Sequence, residues 1–284
     1  MNELFQDMRT WRFWRHYLIK SFAALGTIVA IVRIVVLFFP AQAHLLGGLA
    51  FTIALLLSVL IGLVMTWPRP IECDYSAPAT KIKIIKGDIF DQQTHLVVGV
   101  TNSFDTETPD IIERTSLLGQ TIDRLYGGSW QRLDADLLSA LQGKTPIGSI
   151  AKDGKRDLYK LGTVATVSSG PRRIFFSAYA QMNAENSASS EIETLTESLF
   201  ALWTEVIAKG NCRPLAITPW GGGPSRISNV LPAQDSIRLI ILSFMFASRK
   251  QKVSDELTIV VPKSTFKKLD RMELQAFLYS LRSS

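Results

Sequence analysis

Two long apolar runs dominate the first seventy residues. Ser21 to Phe39 reads SFAALGTIVAIVRIVVLFF, nineteen residues in which Arg33 is the one charge. Pro40 to His44 breaks the run. Leu45 to Trp67 then reads LLGGLAFTIALLLSVLIGLVMTW, twenty-three residues without a charge. A hydrocarbon core of about 30 Å needs about 20 apolar residues in helical form. The pattern therefore predicts transmembrane helices over 21–39 and 45–67, after a basic N-terminus over 1–20. A cleaved leader does not fit: the charged stretch is long, the apolar stretch is too long, and no small-residue cleavage pattern closes it.

Beyond Trp67 the pattern changes. Pro68, Pro70 and Pro78 mark a linker over 68–80, stiffened by the fixed φ of proline. Residues 81–284 then alternate between strand-like and helix-like segments. KIKII (81–85) alternates as a half-buried strand does. HLVVGVT (95–101) is continuously apolar, as in a strand covered on both faces. Residues 110–141 read mainly as helix, broken near Gly127 and Gly128. LGTVATVSS (161–169) and RRIFFSAYA (172–180) read as strands joined by a tight turn.

An amphipathic helix follows from about 189, with Ile192, Leu195, Leu199, Leu202 and Val206 on its stripe and Gly210 at its end. RPLAIT (213–218) reads as a strand, 231–248 as a helix, LTIVVP (257–262) as a strand, and a last helix starts near 264. The predicted class is α/β: a transmembrane hairpin followed by a three-layer α/β/α domain on a largely parallel or mixed sheet.

Charge sharpens this division. Residues 1–70 hold six of the 31 Lys and Arg and two of the 25 acids, so +4 of the net +6 lies there. Arg9, Arg12, Arg15 and Lys20 precede the first span, Arg69 follows the second, and the five-residue connection has neither Lys nor Arg. The positive-inside rule then places both ends of the hairpin in the cytoplasm, for a multi-pass protein of the inner membrane. The rest is nearly balanced, so the positive net charge is poor evidence for a nucleic-acid partner, which needs basic residues clustered on one face. Cys73 and Cys212 stand apart, as do His16, His44 and His95, so neither a zinc spacing nor a disulfide framework is present.

Three places at predicted strand ends can meet a ligand. Asp88, followed by Ile89, closes the opening strand; its carboxylate can accept from an amine such as that of adenine, or it starts a turn. Asn102 closes the next strand; its amide can bind a sugar hydroxyl, or it caps a helix. Thr218, Pro219, Trp220, Gly221, Gly222, Gly223, Pro224 and Ser225 join a strand to a helix. Glycines there let several backbone N–H groups converge on one anion, at a helix N-terminus that favours negative charge; a plain connection has the same composition. All three lie where open α/β sheets bind ligands, at the C-terminal ends of strands.

With these residues in place, 81–284 resembles the macro domain. The opening strand with Gly87, Asp88 and Ile89 is similar to that family's strand and GDI signature, whose Asp contacts adenine. Val97, Val98, Gly99, Val100, Thr101 and Asn102 align with its Ile-Val-Asn-Ala-Ala-Asn, and Thr218 to Ser225 falls where it has a diphosphate loop. The resemblance implies an ADP-ribose-type ligand held by Asp88, Ile89, Asn102, Thr218, Gly221, Gly222, Gly223 and Ser225. Two departures bear on activity. Gly99 replaces the first Asn, and no glycine-rich loop follows Asn102, although hydrolytic macro domains use that loop to organise a catalytic water. The expectation is a binding domain without catalytic residues or metal. The alternative is a membrane-tethered ADP-ribosyl hydrolase, for which Asp105, Glu107 and Asp110 are the available carboxylates.

The layout of two membrane helices before a divergent macro domain resembles the macro-type effector of Thoeris antiphage defence. That resemblance implies a TIR-domain partner enzyme that makes an ADP-ribose-derived signal, histidine-ADP-ribose among the forms expected. It further implies homo-oligomerisation on binding and disruption of the lipid membrane.

Overall fold

The computed structural model describes residues 2–41, 47–221 and 231–282. The chain forms two compact units, Met1–Pro70 with Asp270–Glu273, and Ile71–Leu269 with Leu274–Ser284.

The N-terminal unit is helical: α1 (Asn2–Asp7), α2 (Trp11–Phe38) and α3 (Gly48–Met65). Thr10 starts α2, its side chain accepting from the Phe13 N–H, which satisfies one of the first-turn donors. Phe13, Trp14 and Tyr17 cluster one turn later, with ring centroids 5.6–6.2 Å apart. The two long helices pack closely where Ser21 meets Gly62: a Cβ at position 62 would lie 1.9 Å from Ser21 Oγ. Small residues at such a crossing let helix backbones approach. Both α2 and α3 are long and apolar enough to cross a membrane. Within the apolar stretches, hydroxyls bond to their own helix, as Thr27 Oγ1 donates to Ala23 O and Ser58 Oγ to Leu55 O.

Ile71–Ser76, expected in the linker, forms strand β1, paired antiparallel with β2 (Ala79–Lys86). Its residues alternate, with Ile71, Cys73 and Tyr75 buried, but the prolines on either side mask that period in the sequence. There follow β3 (His95–Thr101), α4 (Leu117–Leu125), α5 (Trp130–Ala140), the two-residue strands β4 (Gly148–Ser149) and β5 (Asp157–Leu158), β6 (Val164–Ser169) and β7 (Arg172–Met182). The chain continues with β8 (Ala188–Ser189), α6 (Ile192–Lys209), β9 (Leu215–Ile217), α7 (Ala233–Lys250), β10 (Glu256–Val261), α8 (Lys263–Phe266) and α9 (Arg271–Ser280).

The main sheet runs β1-β2-β10-β9-β3-β7-β6, with β8 beside β7. From β2 to β7 the strands are parallel, and β1, β6 and β8 pair antiparallel. β3 explains why the middle must be covered on both faces. Val97 packs with α6 and α7 residues such as Leu199 and Ile241, whereas Leu96 and Val98 pack with α4 and α5 residues such as Ile122 and Leu133. A buried bond from Trp203 Nε1 to Ser243 Oγ, 2.9 Å, ties α6 to α7.

Residues 110–116 are turns rather than helix. Ser116 defines the true start of α4 by accepting from the Gly119 N–H. The expected break falls at Gly127 and Gly128, with φ of 61° and 83°, where glycine alone is unstrained. The helix expected from about 189 starts at Ile192, because residues 188 and 189 pair with β7.

Candidate functional site

Five parallel strands direct their C-terminal ends to one edge of the sheet, and of the expected ligand residues Asp88, Ile89, Asn102, Thr218 and Gly221 fall there. Asp88 follows β2. Its Oδ1 accepts from the Phe90 N–H at 3.0 Å and caps the short 3-10 turn Ile89–Asp91. Its Oδ2 pairs with Arg124 Nη1 of α4 at 2.7 Å, and the same guanidinium lies 5.2 Å from the Phe90 ring centroid. A carboxylate accepts at about four lone-pair sites, so these two partners leave acceptor capacity on a side chain that stays one-third exposed. Ile89 is core, with its side chain buried, and can offer a ligand only its backbone.

Asn102 is placed differently from the sugar contact expected. It is buried; its Nδ2 donates to Tyr159 O at 3.3 Å and its Oδ1 accepts from the Met182 N–H at 2.9 Å. Its amide thus clasps the end of β7 and the chain before β6. The neighbour Thr101, not Asn102, lines the cavity at this edge.

That cavity, of about 220 Å³, is bounded by the ends of β3, β7 and β9 and by the segment 111–118. Gly99, Thr101, Glu113, Tyr179, Trp220 and Gly221 are among its walls, together with Thr218. Of the expected site residues it therefore joins Thr218 and Gly221. Asp88 stands on the same edge, with β10 between β2 and β9; two strand spacings are roughly 10 Å. Gly222, Gly223 and Ser225 lie outside the described residues. Gly221 has φ of 92°, the left-handed region that favours glycine.

No sequence motif marks the aromatic wall of this cavity. Tyr179 and Trp220 stack at 4.7 Å with an interplanar angle of 18°, an offset pair of the kind aromatic rings prefer. Gly99 makes this possible: a Cβ there would lie 2.5 Å from Tyr179 Cε1 and 3.2 Å from Trp220 Nε1. The departure from Asn at this position is thus the condition for the stack. Trp220 is held from behind, its carbonyl accepting from Ser236 Oγ at 2.7 Å. Its Nε1 is buried without a hydrogen-bond partner among the described residues, a costly state unless some acceptor reaches it.

The segment after Asn102 carries a buried polar chain. Thr101 Oγ1 and Ser103 Oγ are 3.1 Å apart, and Ser103 Oγ donates to Asp105 Oδ2 at 2.5 Å. Lys152 Nζ donates to the same oxygen at 2.8 Å, and the Lys155 N–H reaches Oδ1 at 2.7 Å. Asp105 is thereby neutralised and fully engaged, a support for the cavity wall rather than a free base. Phe104, between them, is buried with φ of 52° and meets Tyr159 edge-on at 5.5 Å.

At the opposite end of β3, His95 is buried. Its Nδ1 accepts from the Arg173 N–H at 3.0 Å and its Nε2 faces Gly210 O at 3.1 Å, a pattern that fits the neutral ring with Nε2 protonated. Burial pushes its pKa below the ordinary histidine value.

Known proteins agree with this architecture. The Oceanobacillus iheyensis macrodomain with ADP aligns over 75% of this chain and 99% of its own, at 11% identity and a TM-score of 0.50. A glycine-to-valine mutant of the same macrodomain with ADPR aligns over 74% and 99%, at 13% identity and a TM-score of 0.50. These likenesses show a common fold. No curated protein matches the sequence. The family described as "Thoeris protein ThsA, Macro domain" matches residues 82–262, well over half of the chain. The chain belongs to the ThsA macro-domain family of Thoeris.

Proposed function

We propose that this protein is a membrane-anchored receptor and effector whose macro domain binds an ADP-ribose-derived signal nucleotide. The observation that carries the reading is the cavity at the C-terminal ends of β3, β7 and β9, walled by Thr218 to Gly221 and by the Tyr179–Trp220 stack. Relatives of this fold hold ADP and ADPR. In this reading Asp88 accepts from the adenine amine and Ile89 contributes its backbone. The glycine run from Gly221 through Gly222, Gly223 and Ser225 cradles the diphosphate, and the distal sugar lies towards Thr101. A group attached to that sugar, such as histidine, would meet Glu113 and the aromatic wall.

Helices α2 and α3 cross the inner membrane with both ends cytoplasmic, as the basic flanks require. The nucleotide comes from a TIR-domain enzyme, as the Thoeris resemblance implies. Binding shifts the protein towards an assembled state that disrupts the membrane, which requires tighter binding to that state than to the dispersed one.

The full-length protein in lipid nanodiscs or vesicles, cross-linked with and without ADP-ribose or histidine-ADP-ribose, tests this reading. Ligand-dependent oligomers are expected. Binding without any change in assembly would refute the effector half. The hydrolase alternative needs a free carboxylate near the distal sugar. Glu113 lines the cavity, whereas Asp105 is engaged by Lys152. Release of ADP-ribose from a labelled ADP-ribosylated peptide, lost in Glu113→Gln, would favour that alternative.

A further inference from the structure

Arg33 is the one charged residue within either apolar run, and its surroundings restrict where the guanidinium can go. It is exposed, and no described residue is its partner. The side of α2 turned to α3 carries Ser21, Ala24, Leu25, Ile28, Val32 and Val36, which are the more buried positions. At 100° per residue Arg33 falls beside that stripe, on the flank shared by Phe22, Gly26 and Val29. The partner helix offers it nothing. The only polar side chains of α3 are Thr52 and Ser58, and their hydroxyls donate to their own helix, at Gly48 O and Leu55 O.

Escape to the membrane surface runs against the helix geometry. Within the run 21–39, Arg33 lies about 18 Å from the N-terminal end and about 9 Å from the C-terminal end. Side chains on a helix tilt towards its N-terminus. Arg33 is therefore aimed at the more distant boundary, and its approach to the nearer headgroups opposes its own Cα–Cβ direction. A guanidinium cannot lose its proton in a protein, and charges at such depth face protein partners or water. Other copies of the hairpin bring no acid, because neither run contains Asp or Glu. They bring only further arginines, which repel one another unless water and counter-anions lie between them.

We infer that Arg33 lines a water-filled, anion-preferring passage formed where several copies of the hairpin associate. The occupant of the Arg33 flank of α2 is thus a second copy of this chain across a hydrated space. The inference rests on the reading of α2 and α3 as membrane spans in an assembling protein. It adds a function to them: conduction with a preferred sign of ion, set by a ring of like charges.

Two measurements on the full-length chain test it, each in the presence of ADP-ribose or histidine-ADP-ribose. In planar bilayers under a KCl gradient, the reversal potential of the wild type should lie on the chloride side of zero. Arg33→Glu should move it to the potassium side, and Arg33→Leu should bring it close to zero or abolish the current. An unchanged reversal potential in Arg33→Glu overturns the inference. In parallel, Arg33→Cys and Val35→Cys are made in a chain whose Cys73 and Cys212 are serine, and exposed to a charged, membrane-impermeant thiosulfonate. Only a thiol in contact with water forms the thiolate that reacts. Residue 33 should be modified and residue 35, on the opposite side of α2, should not.

Cross-linked oligomers with an unreactive residue 33 would overturn the inference and leave the proposed function standing. Absence of oligomers in membranes, with the protein resistant to alkaline extraction, would overturn both. A chain released by alkaline extraction would refute the spans themselves, and the inference with them.

Discussion

Lys152 and Asp105 face each other across 2.8 Å with side-chain exposures of 0% and 1%. They support the segment that follows β3, where the sequence lacks the glycine-rich loop of hydrolytic macro domains. Two buried charges of opposite sign are tolerated because each completes the other's hydrogen bonding. Asp105 also accepts from Ser103 and from the Lys155 backbone, so the whole turn depends on it.

Lys152→Met should therefore destabilise the protein by about 3–5 kcal/mol, because it leaves a buried carboxylate without its countercharge. Chemical denaturation checks this. Asp105→Asn combined with Lys152→Met should recover part of the loss, since no net buried charge remains. A double variant as unstable as the sum of the singles would contradict this account of the pair.

Gly99→Asn, which restores the residue type found in the wider family, should be harmful here. The new Cβ would press on Tyr179 Cε1 from 2.5 Å, and overpacking of this kind costs about 1–3 kcal/mol. Gly87→Ala is the control, since its methyl would meet only Val260 Cγ1 at 3.9 Å and should change stability by no more than about 0.5 kcal/mol. Unfolding curves for the two variants separate the cases. Equal stability would mean that the Tyr179–Trp220 stack yields easily.

Acid should weaken the fold through His95. Burial lowers its pKa in the native state below the ordinary 6.5, so the unfolded chain binds its proton first. The contribution is complete above about pH 6.5 and is lost as pH falls towards the lowered native value. The unfolding free energy of wild type should drop over that window by more than that of His95→Gln. Parallel pH profiles would contradict the prediction.

Asp88 and Arg124 can be separated by their effects on ligand. Arg124→Ala removes a half-exposed ion pair, worth about 0–1 kcal/mol in stability, and frees Asp88 Oδ2. Binding of ADP-ribose should persist. Asp88→Ala removes the acceptor itself, and a hydrogen bond to a charged group contributes about 1.5–3 kcal/mol, so affinity should fall roughly ten- to hundredfold. Equal losses in the two variants would mean that the pair acts only on the fold.

Much of this architecture was legible in the sequence because its signals are local. Two largely apolar runs of nineteen and twenty-three residues, with Arg33 as their one charge, identify two long helices without reference to anything else, and the continuous run 95–101 implied a strand covered on both faces. β1 was hidden because its alternation is only six residues long and prolines flank it. At the candidate site, the position of Asp88 and Gly221 at strand ends was legible. The Tyr179–Trp220 wall was not, because no short motif records that a strand residue and a loop residue 41 positions apart will stack. The one trace is Gly99, a glycine within a strand, which commonly marks a close approach of other atoms. Asn102 shows the converse: the right residue at the right strand end, with its amide bonded to the backbone at Tyr159 and Met182.

The central claim is that one nucleotide bridges the end of β2 and the turn after β9. Calorimetric titration of the full-length protein with ADP-ribose and with histidine-ADP-ribose, beside Asp88→Ala and Gly221→Val, tests it most directly. The account predicts saturable binding to the wild type, weakened by either substitution while native unfolding behaviour is retained at the temperature of the titration. A folded wild type that binds neither compound, or one whose affinity is indifferent to both substitutions, would contradict it.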